Sequence, residues 1–203
     1  MLRAMVFVDH MNFDIAIKSY YKGMGQESPR LDYNTLFRNI VNLKSGLDYT
    51  KSFIFVPKPD DFLMQDSSLF SYYKWVSGMR SSKYTDVIEG RYLARPTGAG
   101  EMDITDHSTY YKVEKGTDLN LAINALSKAF YNSYDVAFIL SADTDYISLY
   151  RQLKSIGKMV IVVAVKGQNI KQVMPEIDDY LILDDTFFQK CLRIDKIKTT
   201  PQN

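Results

Sequence analysis

Three short stretches place carboxylates where apolar runs give way to helical patterns: Val8-Asp9-His10-Met11-Asn12, Lys115-Gly116-Thr117-Asp118 and Ser141-Ala142-Asp143-Thr144-Asp145. In an open parallel α/β sheet the strand C-termini face one crevice, where such folds bind ligands. Acids remote in sequence then meet there. Crowded carboxylates repel one another unless a cation sits among them, and hard oxygen donors suit Mg²⁺ or Mn²⁺. Asp9, Asp118, Asp143 and Asp145 could together hold one or two such ions. A metal in that position can bind a scissile phosphate, deliver hydroxide and stabilise the leaving oxygen, which is the chemistry of phosphodiester hydrolysis.

Each motif also has a plainer explanation. Asp9 could cap the helix that follows it, and Asp118 stands at a helix start where capping explains an acid nearly as well. Asn12, three residues after Asp9, could orient that carboxylate or a bound phosphate through its amide. Lys115 could pair with phosphate or with solvent. Asn124, six residues beyond Asp118, approximately returns to the same helix face. The third stretch is the most informative, because two acids in one turn exceed what a single cap needs, and an unneutralised pair raises its own pKa. His10, beside Asp9, reads as packing, and His107 falls in a loop. No glycine-rich dinucleotide or phosphate loop and no nucleophile elbow is present in the sequence.

The elements that must position these acids follow from periodicity. Residues 4–8 form a β-rich run ending at Asp9, and Asn12–Tyr21 reads as helix. Asp32 is an N-cap for a helix carrying Leu36, Phe37, Ile40, Val41 and Leu43, closed by Gly46. Ser52–Pro57 is a buried strand, Leu69–Met79 a helix, and Thr85–Arg95 an extended run that Tyr110–Val113 can pair with. Residues 96–109, rich in small and polar residues, read as a mobile flap beside the site. Beyond Thr117 come helix, strand (Asp135–Leu140), helix (Tyr146–Leu153, stopped by Gly157) and the continuous apolar strand Met159–Val165. Ile170–Val173, Tyr180–Leu183 and Thr186–Leu192 complete the series as helix, strand and helix. Alternating β and α elements predict an α/β fold, a three-layer α/β/α sandwich with a mainly parallel central sheet. Residues 1–194 read as one domain and 195–203 as a polar C-terminal tail.

Composition excludes several classes. A 46% hydrophobic and 13% aromatic content argues against disorder. No apolar run approaches the roughly 20 residues that span a bilayer. The first residues read as a strand rather than a signal peptide, and Cys191, the single cysteine, rules out an internal disulfide framework and reads as a buried small hydrophobe. The expected location is therefore the cytoplasm, with no membrane partner. The formal net charge is +1, so the chain is not a generally basic nucleic-acid binder. Locally, Lys74, Arg80, Lys83, Arg91 and Arg95 face only Asp86 and Glu89 between Ser67 and Gly100, interleaved with Phe70, Tyr72, Tyr73, Trp75, Tyr84 and Tyr92. That region reads either as a solvated amphipathic face or as a wall with cations for phosphates and rings for unstacked bases.

The order and content of the motifs resemble the NYN domain family, in the LabA-like branch of the PIN-like nucleases. The matching residues are Val8-Asp9 and Asn12, Lys115-Gly-Thr-Asp118-Leu with Leu121-Ala122, Ser141, Asp143 and Asp145-Tyr146, and Gly157 before the next strand; they span about residues 4–185. The resemblance implies a PIN-like sandwich, an acidic pocket bearing Mg²⁺ or Mn²⁺, and ribonuclease activity, here on single-stranded RNA and endonucleolytic. It assigns Asp9, Asp118 and Asp143 to the core of the metal site, with Asp145 and Asn12 as auxiliary ligands and Ser141 on the pocket floor. Asn124 stands where the family commonly has an aspartate, and Ala142 where it has glycine. Those departures leave room for a weak or inactive RNA-binding, regulatory module. A small-phosphate hydrolase using the same acids is a third reading. Lys115, Lys74, Arg80, Arg91 and Arg95 are the expected nucleic-acid contacts, and a homo-oligomer is compatible with the sequence.

Overall fold

The computed structural model describes residues 1–193, so the tail expected over 195–203 lies outside the described residues. Seven strands form one sheet: β1 (Leu2–Asp9), β2 (Leu47–Pro59), β3 (Thr85–Pro96), β4 (Tyr110–Lys115), β5 (Val136–Leu140), β6 (Met159–Val165) and β7 (Asp179–Leu183). Their spatial order is β4-β3-β2-β1-β5-β6-β7, and every neighbouring pair is parallel except β3 with β4. Among the described residues six α-helices accompany them: α1 (His10–Gly23), α2 (Tyr33–Asn42), α3 (Ser67–Gly78), α4 (Thr117–Phe130), α5 (Ile147–Ser155) and the short α6 (Asp185–Phe188).

Strand alternation sorts side chains into two cores. Ala4, Val6 and Val8 of β1 face one side, where Phe13 and Ile17 of α1, Leu36, Phe37 and Ile40 of α2, Val76 of α3 and Phe188 of α6 cover them. Met5 and Phe7 face the other, under Leu121 and Ala125 of α4 and Leu149 and Leu153 of α5. The result is three layers, α/β/α. From β1 the chain passes through α1 and α2 to β2 on one side. From β5 it passes through α5 to β6 on the other. The C-terminal ends of β1 and β5 therefore flank the topological switch point, where open α/β sheets place their ligands.

Local signals account for several elements. The Asp32 carboxylate accepts from the Thr35 backbone N–H at 2.9 Å, capping α2 as expected. Two expectations fail. Ile170–Val173 is not helical: it is a turn running into a 3₁₀ turn at Met174–Glu176, and Pro175 at its start prevents a longer α-helix. Residues 97–109 are the connection of the β3–β4 hairpin rather than a free flap. The Thr97 N–H bonds the Thr109 carbonyl at 3.0 Å, and Met102 and Ile104 pack on a small core of Leu63, Ala94 and Tyr110.

Candidate active site

The acids reach the crevice by two routes. Asp9 is the last residue of β1 and enters the N-cap of α1 in an extended conformation. It is 6% exposed, and its Oδ1 accepts from the Asn12 backbone N–H at 3.3 Å. Capping is therefore real, but it uses one oxygen only. Its Oδ2 accepts from the Ser141 hydroxyl at 3.4 Å and the Tyr146 hydroxyl at 3.3 Å, both delivered by the segment after β5.

Asp118 arrives differently from what a parallel reading supposes. Its motif follows β4, which runs antiparallel to its neighbour. The site still forms because β2 and β3 overshoot β1. Asp9 lies level with Phe55 and Ile88, whereas β4 ends opposite Arg91, three residues further along β3. A strand descending from that overhang delivers its end to the crevice. The turn that follows depends on two glycines. Gly116, at φ +81°, occupies the left-handed region that glycine tolerates. Gly90 of β3 lies so close that a Cβ there would stand 2.2 Å from Thr117 Oγ1 and 2.8 Å from Thr117 N. Asp118 makes no side-chain cap of α4; its Oδ1 accepts from Tyr146 Oη at 2.8 Å. One buried tyrosine hydroxyl thus lies within hydrogen-bond distance of Asp9 and Asp118.

Asp143 caps the 3₁₀ turn Thr144–Tyr146 by accepting from the Asp145 N–H at 3.0 Å, and its own N–H donates to Ser141 Oγ at 3.2 Å. Ser141 therefore touches both Asp9 and the Asp143 backbone. Asp145 is solvent-exposed in the same turn. Burial pushes the Asp9 carboxyl up to about 7, with the charges of Asp118 and Glu114 adding and the Asn12 and Tyr146 hydrogen bonds opposing.

Glu114 is a participant the sequence reading missed. The residue is exposed overall, yet partial burial of its carboxyl, with the nearby Asp118 charge adding, lifts it above the ordinary glutamate value. Its signal was its place in the run Glu114-Lys115-Gly116-Thr117-Asp118, four residues before an assigned acid. Tyr146 was read as a helix marker and a family match, and its hydroxyl is the junction of the site.

Other expected members are placed elsewhere. The Asn12 side chain accepts from Gln168 Nε2 at 3.4 Å, so only its backbone serves Asp9. Asn124 turns away: six residues advance a helix by about 600°, leaving it about 120° from Asp118 rather than on the same face. Its amide bonds the Asn120 carbonyl at 2.9 Å and the Lys128 ammonium at 3.0 Å. Arg80 is held by Glu89, and Lys74 sits 5.7 Å from the Phe70 ring. Arg95 lies opposite Tyr111, while Arg91 and Lys115 are cross-strand neighbours beside the Asp118 turn. His10 is fully buried and packs, as expected, while His107 bonds Tyr110. Cys191 is buried and free.

Among the described residues no three acidic, histidine or cysteine side chains stand close enough to cage an ion. The four-carboxylate cluster expected from sequence is therefore looser than a closed site. The donors still suit a hard cation, because Mg²⁺ keeps several waters and needs only one or two carboxylates. The buried Tyr150 hydroxyl has no hydrogen-bond partner among the described residues, a polar atom that a water or a hydrated ion would satisfy.

The fold is a doubly wound α/β domain with Asp9, Asp118 and Asp143 near its switch point. The chain belongs to the NYN domain family, whose model matches residues 3–185. NYN domains have a PIN-like fold, are generally ribonuclease-like, act on RNA and typically use divalent metals. Among solved structures, a protein of unknown function from Vibrio parahaemolyticus is similar over 92% of this chain and 95% of its own, with a TM-score of 0.56 and 16% identity, which shows the fold alone. No curated protein matches the chain. No helix among the described residues is long and apolar enough to cross a membrane.

Proposed function

We propose that this chain is a Mg²⁺- or Mn²⁺-dependent ribonuclease that cuts single-stranded RNA endonucleolytically. The observation that carries the reading is the meeting of Asp9 and Asp118 at the Tyr146 hydroxyl, with Asp143 held to the same point through Ser141. Asp9, Asp118 and Asp143 are the residues that would hold the ion, with Asp145 at the open rim. When bound, the ion would supply Lewis-acid activation of the phosphodiester and of a water. Tyr146, with one hydroxyl proton, donates to one carboxylate at a time and stands between Asp9 and Asp118, nearer Asp118. Ser141 and the Asn12 N–H fix the Asp9 rotamer. Arg91 and Lys115, adjacent across β3 and β4, are the cations best placed for substrate phosphates.

The test is cleavage of a single-stranded RNA oligonucleotide with Mn²⁺, comparing wild type with Asp143→Asn. Loss of product in the variant and with EDTA is expected. Equal cleavage by both proteins, or indifference to EDTA, removes the mechanism. RNA affinity that survives chelation with no product at long incubation identifies a binding module instead, a reading favoured by the engagement of Asn124 along α4 rather than at the acids.

A further inference from the structure

A cavity of about 410 Å³ opens between α1, α3 and the segment before α2, away from the acids yet joined to them through a single residue step. Its lining includes Tyr33, Tyr72 and Trp75, with Lys18 and Arg30 at its margin and Asp14 alongside. Behind the rings lies His10, the residue after Asp9. Its ring stacks on Tyr33 at 5.2 Å between centroids, meets Trp75 edge-on at 5.3 Å, and bonds the Tyr72 hydroxyl through Nδ1 at 2.8 Å. His10 is fully buried, so these contacts fix the three rings from behind.

Of the aromatic residues interleaved between Ser67 and Gly100, Tyr72 and Trp75 line this cavity. Tyr73 bonds Glu89, Tyr92 packs in the hairpin core and Tyr84 lies under Arg38. Lys18 Nζ stands 5.8 Å from the Tyr72 ring centre and 2.6 Å from Asp14, and Arg30 and Arg193 add two further cations to the lining. Flat ring walls beside guanidinium and ammonium groups match a planar, electron-poor ring system that carries a phosphate. A carboxylate beside the same wall can accept from the exocyclic amine of a base. The volume admits a base with its ribose.

From this arrangement we infer that the Tyr33–Tyr72–Trp75 cavity is a nucleobase pocket, which holds one unstacked base of the RNA whose backbone crosses the acids. The inference rests on the proposed RNA substrate. It adds to that reading a subsite, its ligand class and the residues that grip it. Stacking on the rings supplies the affinity, and Lys18 and Arg30 take the phosphate of the bound nucleotide. Because Tyr72 is bonded to His10 and His10 follows Asp9, the held base sets where the neighbouring phosphates fall along the crevice.

Trp75 is the only tryptophan in the chain, so its fluorescence reports on this cavity directly. With EDTA present, adenosine 5′-monophosphate is expected to quench that emission saturably, whereas ribose 5-phosphate is not. In parallel, Trp75→Ala should weaken the affinity for a single-stranded oligonucleotide about tenfold, the scale of one lost base–aromatic stack. Trp75→Phe, which keeps a ring, should stay near wild type and controls for folding. Equal response to the two phosphates, or unchanged oligonucleotide affinity in Trp75→Ala, overturns the pocket. Cleavage by the wild type with Mn²⁺ separates this outcome from the ribonuclease reading. Quenching in a wild type that never cleaves RNA upholds the pocket and sinks only the enzyme, and cleavage without quenching does the reverse.

Discussion

Asp9→Asn removes the carboxylate that the fold holds at greatest cost. Burial lifts its ionisation from the ordinary 3.8 to about 7, a displacement of roughly three units. The sign follows from proton counting. Between those two values the folded protein binds a proton that the unfolded chain has released, so raising the pH through this window destabilises the wild type. At 1.36 kcal/mol per unit, the full penalty above pH 7 is about 4 kcal/mol, and less than half of it is present at pH 5. Asparagine carries no such penalty. Its oxygen can still accept from the Asn12 N–H, and its NH₂ can donate to the Ser141 and Tyr146 hydroxyls that now serve Oδ2.

The assay is urea unfolding of both proteins in EDTA at pH 5 and pH 8.5. The stability advantage of Asp9→Asn over wild type should grow by about 2–3 kcal/mol between the two conditions. Adding Mn²⁺ at pH 8.5 should stabilise the wild type and leave the variant nearly unchanged, because a ligand stabilises only the state that binds it. An advantage that is the same at both pH values would refute the argument that Asp9 is a buried acid awaiting a cation.

Two further substitutions test how the site is held. Gly90→Ala puts a Cβ against Thr117 and the Lys115 carbonyl; the overpacking should cost about 1–3 kcal/mol in chemical denaturation and, by displacing the turn that carries Asp118, depress RNA cleavage in protein that remains folded. Tyr146→Phe keeps the ring but removes the hydroxyl at the two aspartates. It should cost about 1 kcal/mol of stability, and because that hydroxyl favours ionised Asp9, its loss should move the acidic limb of the pH–rate profile to higher pH.

The parts of this molecule legible in sequence are those fixed by local pattern. The run ending at Asp9, the strand before Ser141, the Asp32 cap and the buried Cys191 each follow from a few consecutive residues. The route of Asp118 to the crevice does not. Ser52–Pro57 gave the buried middle of β2, but its extension from Leu47 to Pro59, and with it the overhang on which β4 descends, is a matter of register between distant strands. Glu114 was missed for the same reason, since nothing in a six-residue edge strand says how far down the sheet it will end. Asn124 was misplaced through helical phase rather than through any tertiary effect. At Ile170–Val173, two buried apolar residues at helical spacing satisfied the pattern, yet Pro175 left too little chain for an α-helix to develop.

The step from Asp9 to His10 ties the two halves of the proposed substrate path together. Where a strand turns into a helix, consecutive side chains diverge. Asp9 enters the crevice with Ser141 and Tyr146, while His10 is buried among Tyr33, Tyr72 and Trp75. The two surfaces have opposite electrostatic preferences. Without a cation, carboxylates at the crevice repel a phosphate backbone, and a formal net charge of +1 gives little general attraction to offset them. Affinity before metal loading must then come from contacts that do not depend on net charge, and base stacking is the contact the ring-lined cavity offers. A substrate anchored by a base still meets unneutralised acids beneath its phosphates, and that repulsion ends when a divalent ion enters. On this arrangement base and ion favour each other's binding, since each removes part of the cost the other faces.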